Sequence, residues 1–423
     1  MVGTERAGCG SISVLKRTVC TGPALICVAD CARGACEIAR DGGPGRHRAS
    51  ITDYRHVLTT ASAPLSDRIE RVDTVVVGAG QAGLAMGHHL AARDLDFVIL
   101  ENDARVGDGW RHRWDSLRLF TPAAYSGLPG MPFPAPPAHL PYKDEVADYL
   151  EAYADRFDLP VRLGTRVESL GWDGERFVIR AGDGSVEADS VVVATGPFQR
   201  PKLPALATRL APGIHQLHSR DYHGPFDIPE GSVLVVGAGN SGAQIALELA
   251  RSRKVWLAGH ESGRIPRRLL GRDIYDWIWP LMKRLSIDTR LGRRLRERTR
   301  RGDPLVGISA REIADAGIAR VGRLTDERGG LPVCDGEVIH PRAIVWCTGY
   351  APDYRWIEMP VLDERGYPRH ERGVVVDAPG LFFVGLRFQY RMTSALIGGV
   401  GDDAAFIAEQ IARRTRTTPS RPN

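Results

Sequence analysis

The stretch VVVGAGQAGLAMG, residues 75–87, sets Gly78, Gly80 and Gly83 in G-x-G-x-x-G spacing between an apolar run and a helix-forming run. Each glycine has its own physical reason. The first lets a strand turn sharply into a helix, the second lets a pyrophosphate approach the backbone, and the third lets the helix pack closely on the turn. Ala79, Gln81 and Ala82 complete the loop, and the positive end of the helix favours phosphate charge there. The next apolar run, DFVILE, ends on Glu101, 23 residues after Gly78. A carboxylate at that place accepts hydrogen bonds from both hydroxyls of an adenosine ribose. The expected ligand is a dinucleotide with an unmodified ribose, FAD.

The pattern recurs in VLVVGAGNSGAQIA, residues 233–246, with Gly237, Gly239 and Gly242 at the same spacing and Asn240 and Ser241 inside the turn. Counting 23 residues from Gly237 reaches His260 instead of an acid, although Glu261 is adjacent, and Arg264, Arg267 and Arg268 follow. A lost carboxylate and gained cations suit a 2′-phosphate, so NADPH is expected ahead of NADH. Two dinucleotide sites in one chain imply electron transfer between a flavin and a nicotinamide.

The rest of the sequence bounds this reading. At 423 residues the chain exceeds what one hydrophobic core serves. A formal net charge of +5 suits anionic cofactors and is far from a nucleic-acid signature, so no nucleic-acid partner is expected. No apolar run is long enough to span a bilayer. Lys16-Arg17 with the stretch from Val19 to Val28, broken by Gly22 and Pro23, makes at most a degenerate secretion signal, and a cytoplasmic enzyme is the expectation. There is no C-x-x-C, which argues against a dithiol redox centre. Cys27, Cys31 and Cys36 lack a further ligand at metal spacing, and His88 and His89 lack a third, so no metal is expected.

The organisation reads as α/β with two dinucleotide-binding, Rossmann-like domains, the NADPH domain inserted in a discontinuous FAD domain. The expected boundaries are an unstructured extension over 1–70, an FAD-binding domain over 71–196 and 345–415, an NADPH-binding domain over 197–344, and a polar tail over 416–423. Residues 261–301 hold 13 Lys and Arg against 5 Asp and Glu, with Trp277 and Trp279 among them. That stretch reads as a solvated helical insertion, interrupted at Pro280, capping the NADPH domain; a membrane-surface contact is the alternative.

The segment after Glu101, VGDGWRHRWDSLRLFTPAAYSGLPGMPFP (106–134), resembles flavin-containing monooxygenases. The similarity is strongest to a bacterial branch of FAD- and NAD(P)-dependent oxidoreductases, some associated with cation transport or arsenical oxidation. It covers Val72 to about Arg413. The resemblance implies that Gly109, Trp110, Leu117, Thr121 and Val167 belong to the flavin site. It implies that Ala194-Thr195-Gly196 and Cys347-Thr348-Gly349 link the two domains, with Thr195, Thr348 and Gly349 at the cofactors. GRIPRRLLGRDIYDWI (263–278) would lie near the nicotinamide cofactor's phosphate.

The same resemblance implies a cycle in which NADPH reduces FAD and O2 adds to give a flavin hydroperoxide. One oxygen atom then passes to a small-molecule substrate at nitrogen, sulfur or arsenic, with a ketone second. Two departures matter. In the family signature F-x-G-x-x-x-H-S/T-x-x-Y/F, His218, Ser219 and Tyr222 fit, but Pro212 and Ile214 replace Phe and Gly. Tyr222 stands where a Baeyer–Villiger enzyme would carry Trp, and His218 reads as a linker-positioning residue. Many members also use an active-site Asn to stabilise the hydroperoxide, whereas this chain has only Asn102, Asn240 and Asn423. Tyr125, Ser126 or retained NADP+ would then serve, or the intermediate is short-lived. The rival readings are an NADPH-dependent flavin reductase or oxidase without oxygen insertion, and a nucleotide-sensing, transporter-associated flavoprotein. No catalytic base is assigned, and the sequence leaves an oligomer open.

Overall fold

Runs such as DTVVV and FVIL, apolar without alternation, require a strand covered on both faces, and they form the centre of a parallel sheet. The computed structural model describes residues 70–417, apart from 183, 261–262 and 300–301, together with the backbone of 19–22, 25–30 and 35–39. The chain divides into two compact units, Met1–Ala61 and Ser62–Asn423.

In the first unit Val19–Gly22, Leu25–Asp30 and Ala35–Ala39 pair antiparallel in chain order. This corrects the expectation of an unstructured extension over those residues; the remainder of 1–69 lies outside the described residues. The runs VCTG, LICVAD and ACEIA are rich in strand formers but too short to reveal a period.

The second unit contains two larger sheets. In the first, β1 (Glu70–Val77) leads into α1 (Gln81–Ala91), then β2 (Phe97–Leu100), α2 (Lys143–Arg156), β3 (Val161–Arg162), β4 (Val167–Trp172), β5 (Phe177–Ala181) and β6 (Gly184–Val193). The order is β3–β2–β1–β6–β5–β4. β6 is long enough to hold β5 antiparallel along Gly184–Ala188 and a late strand parallel along Val191–Val193.

The second sheet is parallel throughout. It comprises β7 (His215–His218), β8 (Val233–Val236), β9 (Val255–Ala258), β10 (Ala319–Val321) and β11 (Ala343–Trp346), in the order β7–β11–β8–β9–β10. Helix α3 (Asn240–Leu249) follows β8, and α4 (Ile274–Arg284) lies between β9 and β10. β11 pairs wholly with β7 and β8, so the boundary expected between 344 and 345 cuts a strand, and the second sheet keeps it through Trp346. The chain then returns to the first sheet as β12 (Leu381–Phe383), beside β6, and closes with α5 (Ile397–Thr417), which packs on α1. α5 therefore runs two residues into the stretch expected as a tail from 416.

Candidate functional site

The first glycine turn joins β1 to α1. Gly78 has φ 103°, a conformation L side chains rarely adopt, and a Cβ on Gly83 would lie 1.8 Å from the Gly78 carbonyl oxygen. Gly80 differs. Its φ and ψ of −73° and −175° suit any residue, and a Cβ there would meet nothing within 4 Å. α1 starts at Gly80 without a side-chain cap and without an acid in its first turn. Unpaired first-turn N–H groups beside open space fit a pyrophosphate. Gln81 opens the helix, while Ala79 and Ala82 are buried behind the turn.

Glu101 follows the last residue of β2. Its Oε2 accepts from Ala79 N at 2.6 Å and its Oε1 from Asp103 N at 3.0 Å. Burial pushes its carboxyl above the usual range, against the pull of those backbone donors. A carboxylate offers about four acceptor positions, so two remain for ribose hydroxyls. Val167 opens β4, two residues past Thr165, whose N–H donates to the Glu101 carbonyl.

The second turn repeats the first in detail. Gly237 has φ 114°, a Cβ on Gly242 would lie 1.7 Å from the Gly237 carbonyl oxygen, and Gly239 faces open space. α3 is likewise uncapped by a side chain, with Ser241 in its first turn. Asn240 turns sideways: its Nδ2 donates to Pro304 O at 3.1 Å and its Oδ1 accepts from Val306 N at 2.9 Å. Beneath the two turns lie Ala194 and Cys347, at the ends of β6 and β11. Burial pushes the Cys347 thiol up to about 12 and the Cys334 thiol up to about 11, so both stay protonated at neutral pH.

Beyond β9 the expected cations separate. His260 is exposed after Gly259, Arg264 is half-buried in a short pairing with Leu305–Val306, and Arg268 is exposed. Arg267 is a correction. Its Nη1 donates to Phe120 O at 2.7 Å and its Nη2 lies 2.8 Å from Asp273 Oδ2, so the guanidinium ties the insertion to the first sheet's half instead of facing a 2′-phosphate. Arg320 was missed: from β10 its Nη2 donates to Gly259 O at 2.8 Å, beside His260. Only the pairing of β9 with β10 brings it there. Glu261 lies outside the described residues.

The segment from Leu117 to Ser126 is held from both halves. Arg118 N and O bond the side-chain amide of Gln244 on α3, at 3.3 and 3.1 Å, as a strand partner would. Buried Thr121 meets Ser126 Oγ at 3.1 Å, and Ser126 also donates to Pro122 O at 3.0 Å. Tyr125 Oη donates to Asp276 of α4 at 2.7 Å; burial and that carboxylate push the phenol up to about 12. Upstream, Gly109 is exposed on the helical turn Asp108–Arg111, Trp110 packs against the main core, and Leu117 is buried.

α4 is not a solvated cap. It runs unbroken through Pro280 and buries Ile274, Tyr275, Trp279 and Met282 against Phe120, Tyr125, Met392 and Leu396. The Tyr125 and Trp279 rings lie 5.1 Å apart. They border a cavity of about 400 Å³ that is lined chiefly by Ala123, Leu128, Phe133 and Pro137, with Lys283 the one charged residue on its wall.

Two links join the sheets, and they pair with each other: Arg200–Pro201 runs antiparallel to Tyr350–Ala351. Thr195 Oγ1 accepts from Gln199 Nε2 at 2.9 Å, and Thr348 Oγ1 donates to Lys202 O. Gly349 O accepts from Lys202 N at 2.9 Å and meets His218 Nε2 at 3.2 Å, which gives His218 the expected linker role. Tyr222 is fully buried and donates to Glu248 of α3 at 2.7 Å. Among the described residues no group of three His, Cys, Asp or Glu is arranged to hold a metal ion, and no helix is long and apolar enough to cross a membrane.

Residues 75–299 match the model of the pyridine nucleotide-disulphide oxidoreductase family. An uncharacterized CzcO-like oxidoreductase of Geobacillus kaustophilus is 44% identical over 80% of this chain and 98% of its own length. A probable indole-3-pyruvate monooxygenase of Arabidopsis thaliana, YUCCA7, is 29% identical over 80% of this chain and 87% of its own. The flavin-containing monooxygenase of Stenotrophomonas maltophilia is 28% identical, with a TM-score of 0.65 over 82% of this chain and all of that one. The chain therefore belongs to the pyridine nucleotide-disulphide oxidoreductase family, as an enzyme of the flavin monooxygenase type.

Proposed function

We propose that the chain is an NADPH-dependent FAD monooxygenase, with FAD on the first sheet's half and NADPH on an inserted second half, that adds one oxygen atom to a small nucleophilic substrate. The observation that carries this reading is the doubled turn: two uncapped helix N-termini, each with an open glycine, joined by one segment that both halves hold. Gly78 to Gly83, Glu101 and the Gly109–Thr121 region would hold FAD. Gly237 to Gly242, with His260, Arg264, Arg268 and Arg320, would hold NADPH. When bound, the nicotinamide supplies hydride and the flavin accepts it and activates O2.

The chain's own work is orientation. Ala123, Leu128, Phe133, Pro137 and Trp279 offer a substrate an apolar side to pack on, and Glu101 and the turns would fix the cofactors. Nitrogen, sulfur and arsenic centres remain the first substrates to test. The plant relatives, named for indole-3-pyruvate, keep carbonyl compounds in the screen.

A second reading has a specific observation behind it. The Tyr125 hydroxyl donates to Asp276 and the Ser126 hydroxyl to main-chain oxygens. With both hydroxyls so engaged, retained NADP+ is the remaining substitute for the asparagine, and without it the chain would act as an NADPH oxidase that releases hydrogen peroxide. The test is NADPH consumption by the yellow protein in air with each substrate class. A product heavier by one oxygen supports the monooxygenase; stoichiometric peroxide with every substrate overturns it. A protein whose colour NADPH does not bleach overturns both.

A further inference from the structure

The insertion carries an apolar tip that its own turn disfavours. Arg268–Leu269 and Arg272–Asp273 form a two-stranded hairpin closed by Leu270 and Gly271, both at positive φ, 51° and 79°. Two-residue turns with both φ values positive favour Asn-Gly, because a leucine Cβ crowds the neighbouring carbonyl. Leu270 nevertheless occupies the strained place and is 84% exposed. Neither local conformation nor burial explains a leucine there.

Its surroundings extend the same chemistry. Trp277 Nε1 donates to Leu269 O at 3.2 Å, which fixes the indole beside the hairpin with 45% of the residue exposed. One helical turn on, Leu281 is 54% exposed, so α4 shows a second apolar stripe on the side away from Trp279. Arg272 and Arg284 are exposed around this patch, and the Arg272 guanidinium lies 5.7 Å from the Trp277 ring centre. The nearby acids are occupied: Asp273 by Arg267, and Asp276 by Tyr125 and Arg272. The surface is apolar at its tip, with exposed arginines at its rim.

We propose that the Leu269–Leu270 hairpin and the outer face of α4 dock this protein on an anionic lipid surface, Leu270 and Trp277 entering the headgroup region and the arginines meeting lipid phosphates. An exposed leucine tip with an interfacial tryptophan and a cationic rim is what such a surface selects. A second copy of the chain would bring the same arginines against each other, so charge favours the lipid.

The test is sedimentation of the full chain with vesicles of equimolar phosphatidylglycerol and phosphatidylcholine, against phosphatidylcholine alone. Binding is expected to the anionic vesicles only and to weaken as salt is raised. L270N relieves the turn, so its thermal midpoint should hold or rise while vesicle affinity falls about tenfold, the scale of one buried leucine. NADPH consumption without vesicles should be unchanged. Equal binding of wild type and L270N, or no binding to anionic vesicles, overturns the proposal. So does a wild-type dimer that L270N converts to monomer without vesicle binding.

Discussion

Replacing Gly80 with alanine separates the fold from the cofactor. The backbone at Gly80 suits any residue and a Cβ meets no protein atom within 4 Å, so the apoprotein should tolerate the change. Glycine to alanine at a helix N-cap costs ~0.5–1 kcal/mol, which sets the expected loss of stability. The added methyl, however, would point into the open space proposed for the pyrophosphate. Forcing one carbon into a fitted contact costs ~1–3 kcal/mol, or about a five- to hundredfold rise in Kd for FAD. Gly83→Ala is the control, because its Cβ would lie 1.8 Å from a backbone oxygen that cannot move without opening the turn. The assay pairs thermal unfolding of the apoproteins with titration of FAD by its fluorescence. G80A should melt near wild type and bind FAD weakly; G83A should fail to fold or melt far lower. Wild-type FAD affinity in G80A, or an apoprotein as damaged as G83A, would refute the assignment.

Other outcomes follow from the same geometry. Arg267→Ala, which removes a part-buried ion pair and a bond to Phe120 O, should lower stability by ~1–3 kcal/mol and raise KM for NADPH and NADH alike. Arg268→Ala should raise KM for NADPH alone, and equal effects on both nucleotides would remove it from the phosphate site. Burial lowers His89 and His370 from the ordinary 6.5 to about 4. The unfolded chain then binds more protons between those values, so stability should be full above pH 6.5 and fall as pH drops toward 4. Urea midpoints across that window should show it, and H89Q should flatten the slope; no pH dependence would contradict the burial. Tyr125→Phe should leave the pH profile of NADPH oxidation unaltered below about pH 11, since the phenol stays protonated there; a lost alkaline limb would say otherwise.

Both turns, Glu101 and the buried strands were legible in the sequence because each rests on local geometry: a glycine where φ must be positive, an apolar run where both faces are covered. Arg267 was misplaced because spacing from Gly237 counts residues along the chain, and the pull of Asp273 and Phe120 depends on how the insertion folds back. Ile274, Tyr275, Ile278, Trp279 and Met282 already formed a helical stripe, but Pro280 was taken as a break. It lies on the exposed side of α4, where a lost main-chain bond leaves no polar group buried without a partner. Gln244 and Gln199 carried no sequence signal at all. A glutamine that imitates a peptide group is visible only once the segment it holds is in place.

The paired links make the connection between the two sheets a two-stranded ribbon. Its strands cross side by side, bonded at Lys202–Gly349 and steadied by His218. At the far side Gln244, Arg267 and Asp276 all grip Leu117–Ser126, the segment whose Ala123–Tyr125 lines the cavity. Any rotation of the second half about the ribbon would load these three bonds first. Loosening them singly, with Gln244→Ala or Asp276→Ala, should raise the rate of product release before it lowers stability.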